Sequence, residues 1–544
     1  MARNRLVCLV WVLLSVSFSA WSQENRYMVF FKDKSGIPQS LSQPIEFLSE
    51  RAIQRRLDQN IAITEKDLPV NRDYVGSVKD AGASTFYTTR WMNGVLVSCT
   101  PSTIATIESL PFVEKVEYVA PPVKTNSGGR RSFTARKNNN NVSGETEVQL
   151  KMIGLDWMHR AGYTGEGVVI AILDSGFPGV AQGVGFQHML SDGRIDQQTS
   201  YDFVRNTSNV FGGDDHGTEV FSVIAGLLPD AFTGGAYDAT FQLFITEDVP
   251  AEYRIEEYNW LFAAEKADSA GADIIHSSLG YYDFDDSAMN YTVEDMDGKT
   301  TVVTRAAQWA ADRGIVVVTS AGNEGSIPSW RIITAPADGV DVLAVGGVNG
   351  VGTKVMSSSI GPTADGRIKP DVAALGSSVK VLKASGQIST ASGTSLSAPL
   401  VTSLVAGIIQ RYPELTARQV IDLVRQTSSQ AAKPDNLLGY GIPNFQAIVN
   451  YQDRHEQTEP FEVYPNPLRD RDTLIIRPKD PEPFYSCQVE ILSSQGSLIS
   501  STMVKFDWLN NSFRTTLTGL PAGVYYVRLI SGRDRNTFRV VKLR

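Results

Sequence analysis

The chain has 544 residues, 42% hydrophobic and 20% charged, with 3 Cys and a net charge of −9. That length exceeds what one hydrophobic core ordinarily supports, so at least two folded units are expected, and the apolar fraction excludes a mainly disordered chain. The 45 Gly and 25 Pro follow no period, which rules out a collagen-like array; three cysteines cannot form a disulfide scaffold, and the acidic balance argues against nucleic acid as a partner.

Residues 1–22 read as an export signal. Arg3 and Arg5 precede a mostly apolar stretch from 6 to 18, and Ala20-Trp21-Ser22 offers small residues where a signal peptidase reads. The run is short for a bilayer span, and no later segment is long and apolar enough to be one, so an exported mature form with no transmembrane segment is expected. Residues 23–120 follow as a first unit. Strands are predicted at 27–31, 95–98 and 116–119, with a basic helix over 45–57 and another over 102–110, a βαββαβ pattern that builds a small α+β domain. Residues 121–144 read as an exposed linker: Pro121-Pro122, Ser127-Gly128-Gly129, five Lys/Arg, no acid and four consecutive Asn.

Residues 145–450 alternate strands and helices. The runs 168–173 and 315–319 are continuous and rich in β-branched residues, and 241–246 and 274–277 are weaker versions of the same signal; runs apolar on both faces suit a parallel sheet buried on both sides. Leu396, Leu400, Leu404 and Ile408 keep helical spacing, and Thr416-Ala417-Arg418-Gln419 is a capping pattern opening the next helix. A doubly wound α/β domain with a mostly parallel sheet is predicted. After a short linker at 451–460, residues 461–544 change character. Short strands at 473–476, 489–492 and 524–529 are separated by turn signals, and Tyr525, Val527 and Leu529 share one face, as in a small β-sandwich.

Four segments of the α/β domain place reactive groups at strand or helix ends. Asp174 closes an apolar strand before Ser175-Gly176, where ligands of such sheets bind; alone it reads equally well as a turn or capping carboxylate. His216 stands in Asp214-Asp215-His216-Gly217-Thr218, and alone reads as a structural imidazole. Ser395, in Gly393-Thr394-Ser395, falls at the start of an apolar helix, where orphan N–H groups favour negative charge. Asn323 lies in Ala321-Gly322-Asn323-Glu324-Gly325, after a buried strand. Together the four are far more specific than separately. A serine hydroxyl needs an imidazole to take its proton, the imidazole needs a carboxylate to fix its tautomer, and the oxyanion needs donors such as the Asn323 amide and the Ser395 N–H.

With these blocks, residues 145–450 resemble the subtilisin-like serine peptidases, the subtilases. The resemblance implies Asp174, His216 and Ser395 as the catalytic triad and Asn323 as oxyanion donor. It also implies Ser278, Leu279 and Gly280 as one wall of the substrate pocket and Ala321 and Gly322 as the other, open to sizeable apolar side chains. Arg367-Ile368-Lys369-Pro370-Asp371-Val372 resembles the family's segment ahead of the nucleophile. Three departures stand out: Glu219 where many members have a second His, Leu396 where Met is usual, and His276 where Asn is common.

The flanking segments fit the same resemblance. Leu48-Ser49-Glu50-Arg51-Ala52 and Asp67-Leu68-Pro69-Val70 resemble propeptide blocks of Bacteroidota subtilases, implying a self-inhibited precursor cut within 121–144. Val463-Tyr464-Pro465-Asn466-Pro467 and the closing Val541-Lys542-Leu543-Arg544 resemble a type IX secretion sorting domain. The expectation is a secreted or surface serine endopeptidase that reaches the exterior through the periplasm and the outer-membrane type IX machinery, acts on polypeptides and requires no cofactor. The alternative is a surface binding or adhesion protein on the same scaffold. The acids Asp283, Asp285, Asp286, Glu294, Asp295 and Asp297 have oxygens at spacings compatible with structural calcium, but no metal site is assigned.

Overall fold

The computed structural model describes residues 24–122, 146–457, 461–469, 472–478, 486–507, 510–531 and 534–543. The expected export signal and the linker beyond residue 122 lie outside the described residues. The chain divides into two compact units, residues 1–448 and 449–544, so the N-terminal α+β segment and the large parallel sheet belong to one unit.

The N-terminal segment runs β1 (Asn25–Phe31), α1 (Glu50–Asp58), α2 (Arg72–Asp80), β2 (Ser84–Thr89), β3 (Gly94–Cys99), α3 (Pro101–Glu108) and β4 (Val113–Ala120). Its antiparallel sheet has the order β2-β3-β1-β4. Alternation along β1 divides its side chains between two cores. Tyr27, Val29 and Phe31 pack with Val78 of α2 and Ile107 of α3, whereas Met28 and Phe30 join a core containing Tyr258, Leu261 and Val302 of the following domain. The helix expected over 45–57 begins only at Glu50, because the Ser49 side chain caps it by accepting from Ala52 N, while residues 44–46 form a separate 3₁₀ turn opened by Pro44. The predicted βαββαβ pattern gave no residue range for β2 and had no counterpart for α2.

The next domain opens with α4 (Glu147–Met152) and α5 (Leu155–Arg160), then β5 (Val169–Asp174), the short α6 (Gln187–Ser191) and β6 (Tyr201–Asp202). After α7 (His216–Ala225) comes a ribbon of β7 (Leu227–Leu228) and β8 (Phe232–Thr233), then β9 (Thr240–Ile245), α8 (Ile255–Ala270), β10 (Ile274–Ser277), α9 (Val302–Asp312) and β11 (Val316–Ser320). The chain continues through β12 (Val342–Val348), β13 (Val372–Leu375), a hairpin of β14 (Val379–Leu382) and β15 (Ile388–Ala391), α10 (Thr394–Arg411), α11 (Ala417–Thr427) and α12 (Phe445–Gln457). The main sheet has seven strands in the order β13-β12-β11-β10-β5-β9-β6, and every ladder in it is parallel. The four strands expected from sequence are all in it. Helix α10 is buried along most of its length, which is why its sequence is apolar on more than one face.

In the second unit, β16 (Phe461–Tyr464), β17 (Thr473–Pro478) and β20 (Phe513–Thr516) form one antiparallel sheet. A second is built from β18 (Ser486–Leu492), β19 (Leu498–Lys505), β21 (Gly523–Ser531) and β22 (Asp534–Lys542). Leu474, Ile476 and Phe513 from one sheet share a core with Val489, Ile491, Tyr525, Val527 and Leu529 from the other, the expected sandwich packing. No described helix in the chain is long and apolar enough to cross a membrane.

Candidate active site

Parallel strands that all end at one edge of a sheet gather their following residues there. Asp174 is the last residue of β5, pairing with Ile245 of β9, and on the other side Leu173 pairs with Ser277 of β10. Ser278 therefore follows directly beside Asp174, and Ala321, Gly322 and Asn323 follow β11 one strand further on, since Ser277 pairs with Thr319.

Asp174 is wholly buried, and its Oδ1 accepts from Ser175 N at 2.7 Å and from Ser175 Oγ at 3.1 Å. His216 opens α7 and places its Nδ1 2.8 Å from the same oxygen. This approach depends on Gly217, where a Cβ would stand 2.3 Å from the Gly176 carbonyl and 3.0 Å from Asp174 Cβ, too close for any side chain. Burial alone would lift the Asp174 carboxyl, but the adjacent His216 and the hydrogen bonds from His216 and Ser175 hold it below its ordinary value. A buried carboxylate that stays ionised fixes the proton of His216 on Nδ1 and leaves Nε2 with its lone pair. The His216 side chain is 37% exposed against 0% for Asp174, so the ring opens onto solvent from a buried anchor.

Ser395 is the second residue of α10. Its Oγ lies 3.4 Å from the Ser278 carbonyl, and its own carbonyl accepts from Ser278 Oγ at 2.8 Å. Asn323 is held against the same helix start: its Oδ1 accepts from Thr394 N at 3.0 Å, with Thr394 Oγ1 3.2 Å from it and 3.1 Å from the Gly322 carbonyl. With Oδ1 so engaged, the donor side of the amide faces away from Thr394.

The two segments expected to wall the substrate pocket are bridged by residues 334 and 335. Thr334 N donates to Ala321 O at 3.2 Å, and Tyr281 N donates to Ala335 O at 2.9 Å. The Thr334 side chain stands between Gly280 and Gly322. A Cβ on Gly280 would lie 2.2 Å from its Oγ1, and one on Gly322 would lie 3.0 Å from it. Thr334 is 2% exposed, and its hydroxyl has no hydrogen-bond partner among the described residues. Sequence reasoning missed this residue, which carries no motif of its own.

The three departures also acquire surroundings. Glu219 is buried one turn after His216 and paired with Lys383 in the turn after β14, and Lys383 also lies 3.9 Å from Asp215. Leu396 is 3% exposed and packs as a core residue. His276, in β10, is fully buried, with Nδ1 2.7 Å from Thr402 Oγ1 and Nε2 2.9 Å from Ser278 Oγ. Burial drives its pKa down to about 3, so it is neutral at neutral pH.

Most of the acids considered for calcium serve as local acceptors. Asp283 accepts from Asn290, Asp285 from Glu252 N, and Asp286 from Ala288 N. Asp295 closes a capping box on Thr292, and Asp297 accepts from Lys299 N and Thr300 N. A different trio, Glu247, Glu252 and Glu256, brings one ligand oxygen each within 4.8 Å of the others, with Tyr281 donating to Glu247 and Asp248 N to Glu256. That grouping, too, had no signal in the sequence spacing.

An imidazole anchored on a buried carboxylate, in a sheet whose following helix carries a serine as its second residue, is the kind of arrangement found in serine hydrolases. Residues 165–441 match the subtilase family, and the chain belongs to it. Residues 26–139 match the Bacteroidota propeptide domain of peptidase family S8, and residues 462–542 match a secretion-system C-terminal sorting domain. Subtilisin NAT of Bacillus subtilis subsp. natto is 29% identical over 295 residues, 54% of this chain and 68% of that protein. Subtilisin of Bacillus pumilus is 28% identical over 296 residues, 54% of this chain and 94% of that protein. Among solved structures, MycP1 from Mycobacterium smegmatis aligns at 22% identity with a TM-score of 0.45, over 60% of this chain and 92% of that one. The protein is a subtilisin-like serine endopeptidase made as a precursor, and its sorting domain marks it for the cell surface or secretion.

Proposed function

We propose that Ser395, His216 and Asp174 form the catalytic triad, with Asn323 Nδ2 and the Ser395 N–H as oxyanion donors. Ser395 Oγ attacks the scissile carbonyl while His216 Nε2 takes its proton. The tetrahedral oxyanion is stabilised by the two donors. His216 then gives the proton to the leaving amine, and a water molecule repeats the cycle to release the acyl group. Asp174 holds the imidazole in the required tautomer and stabilises the imidazolium. The observation that carries the reading is the 2.8 Å contact between His216 Nδ1 and a wholly buried Asp174.

On this reading residues 23–120 act as an intramolecular inhibitor of the 145–450 catalytic domain, and maturation falls within 121–144. Residues 461–544 pass the enzyme to the type IX machinery, across the outer membrane after export to the periplasm. The test is a fluorophosphonate probe, which should label wild-type enzyme at Ser395 alone. Ser395→Ala should abolish labelling, peptide hydrolysis and cleavage of the propeptide together. An unlabelled mature protein would instead favour a binding role, and unchanged self-processing in S395A would show that the nucleophile lies elsewhere or that another protease matures the chain.

A further inference from the structure

In an α-helix the carbonyl of residue i accepts from the N–H of residue i+4. For Ser395 that partner is Pro399, inside α10, which has no N–H. The carbonyl of the proposed nucleophile thus loses its helical donor at the turn that must hold it still. Ser278 supplies the missing bond, its Oγ donating to Ser395 O at 2.8 Å.

A hydroxyl has one hydrogen. Since Ser278 spends its hydrogen on Ser395, the 2.9 Å contact with His276 Nε2 requires that nitrogen to carry the proton and donate to Ser278 Oγ. His276 Nδ1 then holds the lone pair and accepts from Thr402 Oγ1 at 2.7 Å. The result is a one-way series of hydrogen bonds: Thr402 to His276, His276 to Ser278, Ser278 to the Ser395 carbonyl. It starts and ends on α10 and passes through the end of β10. Each ring nitrogen of His276 has one partner, so its tautomer is determined. The titratable groups that act on it are Asp174 and His216, and with burial dominant the ring remains neutral at neutral pH.

We infer that His276 is a positioning residue for the nucleophile: it orients the Ser278 hydroxyl so that Ser278 replaces the hydrogen bond that Pro399 cannot give. This rests on the reading of Ser395 as nucleophile. Loss of the imidazole donor lets the Ser278 hydroxyl turn, frees the Ser395 carbonyl and loosens the turn that presents both the attacking oxygen and the Ser395 N–H. Substrate contacts made by the wall backbone persist, so the effect falls on kcat rather than KM.

Two substitutions separate this from a packing role. A glutamine side chain places its Nε2 donor near the position of the histidine Nε2, whereas an asparagine matches only the Nδ1 position. H276Q therefore keeps the bond to Ser278, and H276N keeps only the one to Thr402. In mature enzymes assayed with one peptide substrate, H276N and S278A should each lower kcat about 10- to 100-fold with KM within about threefold, while H276Q stays within about threefold of wild type. The H276N/S278A double variant should be no slower than S278A alone. If H276N does not mature, H276Q against S278A still decides: S278A slow and H276Q near wild type supports the inference. Equal losses in H276N and H276Q, an undiminished kcat in H276N, or an undiminished kcat in S278A would overturn it. Fluorophosphonate labelling of wild type keeps the two readings apart, because a labelled Ser395 with equal histidine variants defeats only the role of His276.

Discussion

Arg56 Nη2 of the N-terminal segment donates to both carboxylate oxygens of Asp268 in α8, at 2.9 and 2.8 Å. Neither side chain is more than 1% exposed. Arg55 adds a 2.5 Å bond to Asp268 Oδ1, and Arg313 of the catalytic domain answers with a 2.8 Å bond to Asp67 of the N-terminal segment. Charges are thus exchanged in both directions across a surface that maturation would have to open.

The first prediction concerns this surface. Removing one partner of a buried pair leaves the other uncompensated, which costs roughly 3–5 kcal/mol. D268A should therefore weaken inhibition by the N-terminal segment added in trans by about two to three and a half orders of magnitude, read as an inhibition constant of the mature enzyme. Because the charges are out of solvent, the wild-type constant should change little with salt. A strong salt dependence with no effect of D268A would place the binding energy in surface charges instead.

Asn323 supplies the second prediction. With Oδ1 fixed by Thr394, only the amide's donor side is available to a developing oxyanion. N323A should lower kcat about 10²- to 10³-fold, a magnitude carried over from the equivalent donor in a related subtilisin, with KM nearly unchanged. The ratio of kcat values on a single peptide substrate checks it. A rise in KM at constant kcat would mean the amide binds ground-state substrate instead.

Much of the site was legible because each piece has a local reason to be where it is. Asp174 ends an apolar strand before a glycine turn, Ser395 starts an apolar helix, and Gly217 must follow His216 for the two segments to touch. The parts that were not legible depend on distant pairing. Thr334 reaches Gly280 and Gly322 only because residues 334 and 335 pair with Ala321 and Tyr281. The bond from His276 through Ser278 to Ser395 spans 119 residues of sequence between its two ends, and its need arises from Pro399, which the structure places inside α10. The fold divides the same way. β-branched strands such as β5 and β11 announced themselves, whereas β12, interrupted by Ala344, Gly346 and Gly347, and β13, half alanine, did not.

The buried imidazole gives a third prediction, for stability against pH. His276 in the folded protein binds its proton only near a pH of about 3, against 6.5 for an ordinary histidine. Between those values the unfolded chain holds more protons than the folded one, so stability rises with pH and falls on acidification. The contribution is absent above pH ~6.5 and grows by up to about 1.4 kcal/mol for each unit below it. In an S395A background, which prevents self-digestion, the unfolding free energy of the protein with His276 should fall more steeply between pH 6.5 and 4 than that of H276Q. Parallel curves would show that the imidazole is protonated in the folded state.

Thr334 sets the fourth. If residues 278–280 and 321–322 wall the pocket for the side chain preceding the scissile bond, the depth of that pocket ends where Thr334 stands between Gly280 and Gly322. The space open to sizeable apolar side chains on the sequence alone is then filled at its base, and the enzyme should prefer alanine or serine there over phenylalanine or leucine by about tenfold or more in kcat/KM, since each misfitting carbon in a tight pocket costs about 1–3 kcal/mol. T334A removes two heavy atoms from the base. It should raise kcat/KM for the phenylalanine and leucine substrates about 10- to 100-fold while leaving the alanine substrate within a few-fold. Stability should fall by no more than about 1 kcal/mol, because the loss of the buried methyl is offset by removal of a hydroxyl that is buried without a partner. A peptide series varying only that position, run on both enzymes, checks the prediction. Wild-type enzyme that already cuts after phenylalanine as readily as after alanine would show that side chains enter by another path and that Thr334 does not limit them.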